Sequence, residues 1–537
     1  MNERHPFSAR RISKIEGISR RNITSDDLKV TSRFLLDAAM EMRRCDDEME
    51  RYKTGILLLK NKKKGLQEAA EKVGSLLAPV HRLPDEMLIR TLLLERGTDL
   101  VALDPNVIAR TIELMMVCGR WRDLILSYPG LWSDLAVRFA LWEDKFPALE
   151  RLVRIFMDRS GKRPLSLELG FEGVSNDMEP HAATIIRILA HDCARWRRVS
   201  FCDALPIGNL LQQIPSPAVF SDLQALRISS REPLSSAVYS FFGNSPALIS
   251  LEVGTHDTSL DTTSNLPLYR IEELTIRDVL SVPVVSEFLV SFPLLKSLEL
   301  VNVGGDIGDH PHHHVSSDTV NTIKLTWARQ EDADTVLQCL VLPQLTSLKM
   351  YGYWDSEWTM WVGSSATDFL ARSACTITSL CLKWLPMTDR QVIDLLELMP
   401  SLTNLEIEEL PAIGAPNRIV TGVFLRRLIV DPLAALFSKR PFLPLMTDLV
   451  LAVNQDSLVE QDIFDVVSSR WISDSEQANE VGIECLRSVC LTVWTQECAD
   501  EGELSILEGF KLRAVGLQMD IFHEYLCEPF YEPSSAT

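Results

Sequence analysis

The six residues Leu345-Thr346-Ser347-Leu348-Lys349-Met350 (LTSLKM) set a pattern, apolar-x-x-apolar-x-apolar, that the chain repeats many times. Its second half alternates with a period of two, as expected of a strand with one buried face. Upstream the phrase returns as LKSLEL at Leu295, VNTIKL at Val320, IEELTI at Ile271, LISLEV at Leu248, LQALRI at Leu223 and WRRVSF at Trp196. Downstream it returns as ITSLCL at Ile377, LTNLEI at Leu402, LRRLIV at Leu425, MTDLVL at Met446, LRSVCL at Leu486 and LRAVGL at Leu512. Successive starts lie 21 to 27 residues apart, except for steps of 32 and 40. Helical patterns fill the gaps at 284–291, 333–340 and 390–399, and Pro246, Pro293, Pro343, Pro400 and Pro444 stop the chain before the next strand. The period of two then predicts two rows. Leu251, Leu298, Leu348 and Leu405 are expected in the core, with Ser200, Arg227, Glu252, Thr275, Glu299, Lys324, Lys349 and Glu406 exposed on the opposite face.

In period and strand phrase this array resembles leucine-rich repeats. The resemblance implies an α/β fold, a solenoid of one strand plus one helix per repeat, over 196–520. One feature departs from that family: the asparagine or cysteine eight residues after the first leucine is replaced by Val279, Val303, Leu385 and Leu410, with Asn454 the exception. A first edge strand is expected at Pro164–Leu169, after linker helices, within 136–195. A C-terminal cap over 521–537 is expected to cover the open end of the core with Phe522, Tyr525, Leu526, Phe530 and Tyr531.

Ahead of the repeats, residues 79–135 have a different texture. Pro84, followed by Asp85 and Glu86, is suited to the start of a helix, because its φ is preset and the acids favour the N-terminus. Apolar stripes at Met87, Leu88, Leu92 and Leu94, and at Val107, Ile108, Ile112, Met115 and Met116, predict two amphipathic helices. A third, short helix follows around Arg120-Trp121-Arg122-Asp123. Together, Leu83-Pro84-x-Glu86, Val117-Cys118-x-x-Trp121-Arg122-Asp123 and Pro129-x-Leu131-Trp132 resemble an F-box, in particular the F-box-like variety expanded in mushroom-forming fungi. That resemblance implies a three-helix bundle docking on the adaptor subunit of a cullin-based SCF ubiquitin ligase, through Leu83, Pro84, Glu86, Leu88, Val117, Cys118 and Trp121. An insert around Glu95–Ala102 departs from the family pattern.

Residues 1–23 are polar and basic, as expected of a disordered tail. Thr24 with Asp27 can cap a helix, and over 24–78 a seven-residue beat follows. Leu28, Leu35, Met42, Met49, Ile56, Ala70 and Leu77 hold one seam position, broken by Lys63; Ala38, Tyr52, Leu59, Leu66 and Val73 hold the other, weakened by Thr31 and Cys45. Two readings stay open, a coiled-coil homodimer stalk or one long helix packed back on its own chain.

Composition sets the outer limits. The chain has 537 residues, 46% apolar and 24% charged, as in globular multidomain proteins. Eleven cysteines show no C-x-x-C or zinc-like spacing, which predicts free thiols in a reducing compartment. No apolar run reaches the roughly 20 residues of a membrane span and no apolar signal core opens the chain, so a cytosolic or nuclear protein with no membrane partner is expected. Net charge is −20; residues 1–80 carry 17 Lys/Arg against 12 Asp/Glu, which leaves −25 for 81–537. An acidic body argues against nucleic acid as partner. The basic run Lys60-Asn61-Lys62-Lys63-Lys64 is read as a solvated helix face.

No P-loop, nucleophile elbow, zincin or dinucleotide pattern is present, so neither catalysis nor a cofactor is expected. Asp309-His310-Pro311-His312-His313-His314 reads as a solvated loop and not a metal site. In the 32-residue step, Tyr351, Tyr353, Trp354, Trp358 and Trp361 crowd together where strand ends enter a loop, and large aromatics dominate binding hot spots. With Arg227, Glu299 and Lys349 they form the candidate surface for a client protein. The function expected is therefore a substrate receptor of a ubiquitin ligase; the alternative is a repeat scaffold unconnected with ubiquitin.

Overall fold

A computed structural model describes residues 24–75, 79–96, 101–104, 110–175, 177–202, 207–211, 218–230, 236–254, 266–277, 289–303, 314–327, 330–352, 364–411, 418–431, 441–454, 459–472, 481–495 and 517–525, with the single residues Ser13, Val285, Trp361 and Ala478. The chain divides into two compact units, Met1–Leu92 and Leu93–Thr537. Among the described residues no helix is long and apolar enough to cross a membrane.

The first unit is dominated by helix α1, Ser25–Ser75. Its start is closed as the sequence requires: the Thr24 hydroxyl donates to Asp27 Oδ2 at 2.6 Å, and the Asp27 and Thr24 amides find the reciprocal oxygens at 3.4 and 3.0 Å. A 3-10 turn at Pro79–Arg82 leads to helix α2, Asp85–Arg96. Its first turn carries two acids, and the Leu88 amide donates to the Pro84 carbonyl at 3.0 Å. Leu88 and Leu92, one helical turn apart on one face, are buried.

The second unit is built on one sheet of fifteen strands, all parallel and in sequence order. They are β1 Val101–Leu103, β2 Asp134–Arg138, β3 Leu165–Gly170, β4 Trp196–Cys202, β5 Ala225–Ile228, β6 Ser250–Gly254, β7 Glu273–Arg277 and β8 Ser297–Val303. The series continues with β9 Thr322–Trp327, β10 Ser347–Gly352, β11 Ser379–Lys383, β12 Asn404–Glu408, β13 Asp448–Asn454, β14 Ser488–Thr495 and β15 Gln518–Tyr525. Parallel neighbours require a crossover each time, and helices supply it: Phe146–Ser160, Glu179–Ala190, Gln330–Cys339, Ser364–Ser373, Asp389–Glu397 and Glu460–Arg470 among them. The sheet is open, with β1 and β15 at its edges.

Register turns the repeated phrase into continuous rows. Leu135, Leu167, Val199, Leu226, Leu251, Leu274, Leu298, Ile323, Leu348, Leu380, Leu405, Leu449, Val489 and Met519 are in-register neighbours from β2 to β15. None is more than 2% exposed. The leading residue of each phrase, such as Leu295 or Leu345, is buried as well. Fourteen apolar side chains stacked at strand spacing make one core running the length of the sheet.

Three expectations need correction. The Pro164–Leu169 segment is not an edge, because β1 and β2 precede it; β1 is made from the insert at Glu95–Ala102 and pairs with β2 from Val101↔Leu135 to Leu103↔Val137. The LRRLIV phrase is not a strand. It lies in a helix, Gly422–Leu428, whose N-cap Thr421 accepts from the Val423 and Phe424 amides, and apolar residues at 425 and 428 suit one helix face as well as they suit the strand phrase. In the last described strand, Gln518–Tyr525, Met519 and Ile521 stand opposite Val489 and Leu491, and residues 512–516 of the LRAVGL phrase lie outside the described residues. Phe522, expected to cover the core, faces outward at 51% exposure; Leu526, Phe530 and Tyr531 lie outside the described residues, as does the histidine run at 310–313.

Between β12 and β14 two buried ionisable groups hold the chain. Arg470, the last residue of its helix and 0% exposed, donates to the carbonyls of Leu428 (2.6 Å), Leu443 (3.0 Å) and Phe442 (2.5 Å). Burial pulls its pKa down to about 10, so it stays cationic at neutral pH and its charge is met by three backbone carbonyl dipoles. Asn454, at the position where the repeat family keeps its asparagine, is buried and donates to the Leu410 carbonyl at 2.9 Å. Glu409 is 5% exposed and accepts from the Ile419 and Val420 amides at 3.0 and 2.8 Å.

Burial raises the Glu409 carboxyl above its ordinary value. A group of this sign binds its proton more tightly folded than unfolded. Its contribution is fully present below the unfolded pKa and is lost as pH rises through the folded one. Glu409→Gln keeps both acceptor bonds and removes the charge, so the variant is expected to unfold at a higher temperature than the wild type near pH 8. The gap should close below about pH 4, which a melting series across pH reads directly.

Candidate functional site on the open sheet face

The polar positions of the phrase also align by register. Ser200, Arg227, Glu252, Thr275, Glu299, Lys324, Lys349, Cys381 and Glu406 are successive neighbours on the face opposite the leucine row. The eight of these expected to be exposed are half-buried instead. Strands lie about 4.8 Å apart, so long side chains on adjacent strands cover one another's stems and pair at the tips. Arg227 meets Glu252 at 2.9 Å, Arg277 holds the same carboxylate, and Lys324 meets Glu299 at 2.6 Å. Thr275 donates to Glu299 at 3.4 Å.

The densest part of this face centres on Tyr351 in β10. Lys324 Nζ lies 4.9 Å from its ring centroid and Lys383 Nζ 5.6 Å, so two ammonium groups from the flanking strands attend one aromatic ring. Cys381 Sγ donates to the Tyr351 hydroxyl at 3.7 Å. Lys383 also bridges Glu406 at 2.6 Å and Glu408 at 2.9 Å. Lys349, two residues before Tyr351, acts on the Glu406 carboxylate by its charge, without a close ion pair among the described residues.

Burial shapes the acid–base character of the cluster. It raises the Tyr351 phenol well above the ordinary tyrosine value. Burial, reinforced by the Glu406 charge, pushes the Cys381 thiol up to about 12. For Lys383 burial alone would lower the pKa, but hydrogen bonds to Glu406 and Glu408 outweigh it and raise the ammonium above the lysine range. For Glu406 burial alone would raise the carboxyl, and the bond from Lys383 reverses that and holds it below its ordinary value. At neutral pH the cluster is thus a set of fixed charges around a neutral phenol and a neutral thiol. Neither the Tyr351 phenol nor the Cys381 thiol is ionised there at neutral pH.

A tight backbone approach supports the rim. A side chain at Gly352 would run into the Trp384 carbonyl. Trp384 itself sits at φ 56, an unusual conformation for a bulky residue, with its indole N–H donating to Glu408 Oε1 at 3.0 Å. At the other end of the same face a shallow depression of about 400 Å³ is lined by Asp134, Ser166, Arg198, Ser200, Arg227, Ser250 and Glu252.

The structure brings together some of the expected client-binding residues. Glu299, Lys349 and Tyr351 lie on β8 and β10, separated by β9. Arg227 is on β5, five strand spacings from β10 or about 24 Å, and belongs to the depression instead. Trp361 is buried at 3% exposure and stacks on the Trp327 ring at 6.3 Å, so it is core and not contact surface. Tyr353, Trp354 and Trp358 lie outside the described residues. Cys381, Lys383 and Glu408 were not singled out in the sequence. Lys383 and Glu408 lie two residues beyond the open-face positions Cys381 and Glu406 and so share their face, a signal available from the same period.

Of the expected adaptor residues, Leu83, Pro84, Glu86 and Leu88 fall in the first unit, and Val117, Cys118 and Trp121 in the second. Pro84, Glu86 and Val117 are exposed, and Leu83, Cys118 and Trp121 half-buried. Leu88 is 0% exposed: its position on the buried face of α2 removes it from any free surface. Helices α3, Arg110–Val117, and α4, Gly119–Ser127, pack together, α3 beside β1 and α4 beside the Pro129–Leu131 turn, with the Trp132 indole donating to the Ile125 carbonyl at 2.8 Å. Among the described residues no group of His, Cys, Asp or Glu is arranged to hold a metal ion.

No family model matches this sequence, and no curated protein aligns with it significantly. Among solved structures, a Bacteroides fragilis protein determined by a structural genomics consortium is 11% identical over 70% of this chain and 72% of its own, with a TM-score of 0.23. A likeness that low carries no argument for fold or function.

With its pKa near 12, Cys381 holds on the order of a thousandfold less thiolate at pH 8 than an ordinary thiol near 8.5. Mass-spectrometric footprinting with iodoacetamide should therefore label exposed Cys45 in minutes and leave Cys381 unlabelled. In Lys383→Met the Glu406 carboxyl is expected to titrate higher. A depressed carboxyl contributes stability above its unfolded pKa and loses it as pH falls through the folded one, so this variant should melt below the wild type at neutral pH, with the gap closing on acidification.

Proposed function

We propose that the chain is the substrate-receptor subunit of a cullin-based SCF ubiquitin ligase. The segment 79–135 acts as an F-box-like module for the adaptor, and the sheet with its crossover helices acts as a leucine-rich-repeat-like solenoid for a client protein. The observation that carries the client half is the unbroken in-register row of polar side chains, with the Tyr351, Lys383 and Glu406 cluster at its densest point. A receptor works by raising local concentration for a separate enzyme, so this reading needs no nucleophile, cofactor or metal in the chain. The adaptor half is supported by the motif residues: Pro84 precedes the α2 start at Asp85, and Glu86 and Val117 are exposed.

Burial of Leu88 favours a second reading, a repeat scaffold unconnected with ubiquitin. Co-purification separates the two. The wild-type chain should capture the adaptor and cullin, and Leu83→Ala with Pro84→Ala should abolish capture while the unfolding of the sheet-bearing unit is unchanged. Equal capture by the double variant would overturn the assignment of Leu83 and Pro84 to the adaptor face, and no capture by the wild type would leave only the scaffold reading.

A further inference from the structure

Helix α1 leaves its apolar seam uncovered. Leu28, Leu35, Met42, Met49, Tyr52, Ile56, Leu59, Leu66 and Val73 are between 51 and 68% exposed. A helix of 51 residues is about 77 Å long, and a seam of that length bare to water is unfavourable without a partner. Leu36, Met40, Leu57 and Leu58 lie off this seam and are exposed too, so the seam itself is picked out by the seven-residue beat.

Charge identifies the occupant and its direction. Residues 25–50 hold eight Asp/Glu against four Lys/Arg, whereas 51–75 hold seven Lys/Arg against two Asp/Glu. The helix is acidic in its first half and basic in its second. We propose that α1 pairs with α1 of a second copy of this chain in antiparallel orientation, each acidic half against the basic half of the other.

The seam supports this orientation layer by layer. With residue numbers in facing positions summing to 101, the register nearest full overlap, Leu28 faces Val73, Leu35 faces Leu66, Met42 faces Leu59 and Met49 faces Tyr52. The weak positions are absorbed, since Cys45 faces Ile56 and Lys63 faces Ala38. Flanking positions then place Asp46 beside Lys53 and Glu41 beside Lys62, each pair occurring twice by symmetry. A parallel pair would stack Lys63 on Lys63 in a seam layer and set Glu41 against Asp46 of the other copy, so like charges oppose it. Within the monomer Glu41 bridges Arg44 and Lys53 bridges Glu50, at 3.3 and 2.7 Å. Such exposed pairs contribute only about 0.2 to 1 kcal/mol and do not compete strongly with pairing across the seam.

The full-length protein tests this. Analytical ultracentrifugation at tens of micromolar should give a dimer. Ile56→Cys should be joined by a short bismaleimide to Cys45 of the second copy, giving a covalent dimer that Cys45→Ser abolishes; within one helix the two positions lie about 16 Å apart and cannot be bridged by a short linker. Glu41→Lys with Asp46→Lys should weaken dimerisation at least tenfold, and adding Lys53→Glu and Lys62→Glu should restore it, which a parallel pair cannot do. A monomer at these concentrations, as expected if the helix packs on its own chain, overturns the proposal. So does cross-linking of wild-type Cys45 to itself, or failure of the fourfold charge reversal to rescue.

Discussion

The leucine row is the constraint on which the second unit depends. Fourteen strands place an apolar residue at one register position, and every one is withdrawn from water to 2% exposure or less. A slip of one residue in any strand would turn its apolar set to the polar face. The row therefore fixes the neighbours' register, the phase of the crossover helices and the position of each polar side chain on the other face. Arg470 and Asn454 serve the same end where the repeat lengthens. There a buried guanidinium and a buried amide donate to carbonyls of the chain between β12 and β14.

The polar face follows from the same period. Because parallel neighbours stand in register, like positions from successive repeats line up, and the sequence must alternate charge to avoid repulsion. Arg227 with Glu252 and Glu299 with Lys324 do so. Around Tyr351 the alternation gives way to a local concentration of cations, Lys324, Lys349 and Lys383, bounded by Glu299, Glu406 and Glu408. In the proposed receptor such a surface would contribute specificity and steering more than raw affinity.

Among the described residues every repeated phrase but LRRLIV coincides with a strand, because burial on one face leaves a period that composition cannot mimic over so many turns. Phrases that misled did so for identifiable reasons. In LRRLIV, residues Leu425 and Leu428 satisfy both periods, and the Thr421 cap that selects the helix lies outside the phrase. Strand β1 is three residues long and its pairing with β2 is a tertiary event without a local signal. The candidate site was legible in its strand positions, so Glu299, Lys349 and Tyr351 emerge from the period. It was not legible in what packs across strands: Trp361 reads as a surface aromatic until Trp327 is found beneath it, and Arg227 reads as a neighbour until the strands between are counted.

Cysteine scanning along β10 tests most directly the claim that one period sets both the core and the open face. Single cysteines at Ser347, Leu348, Lys349, Met350 and Tyr351 would be introduced into the folded protein, and their rates of reaction with a small thiol reagent compared. Reactivity at 347, 349 and 351 with protection at 348 and 350 is the result expected. Uniform reactivity, or the reverse alternation, would contradict the register and with it the face proposed for a partner.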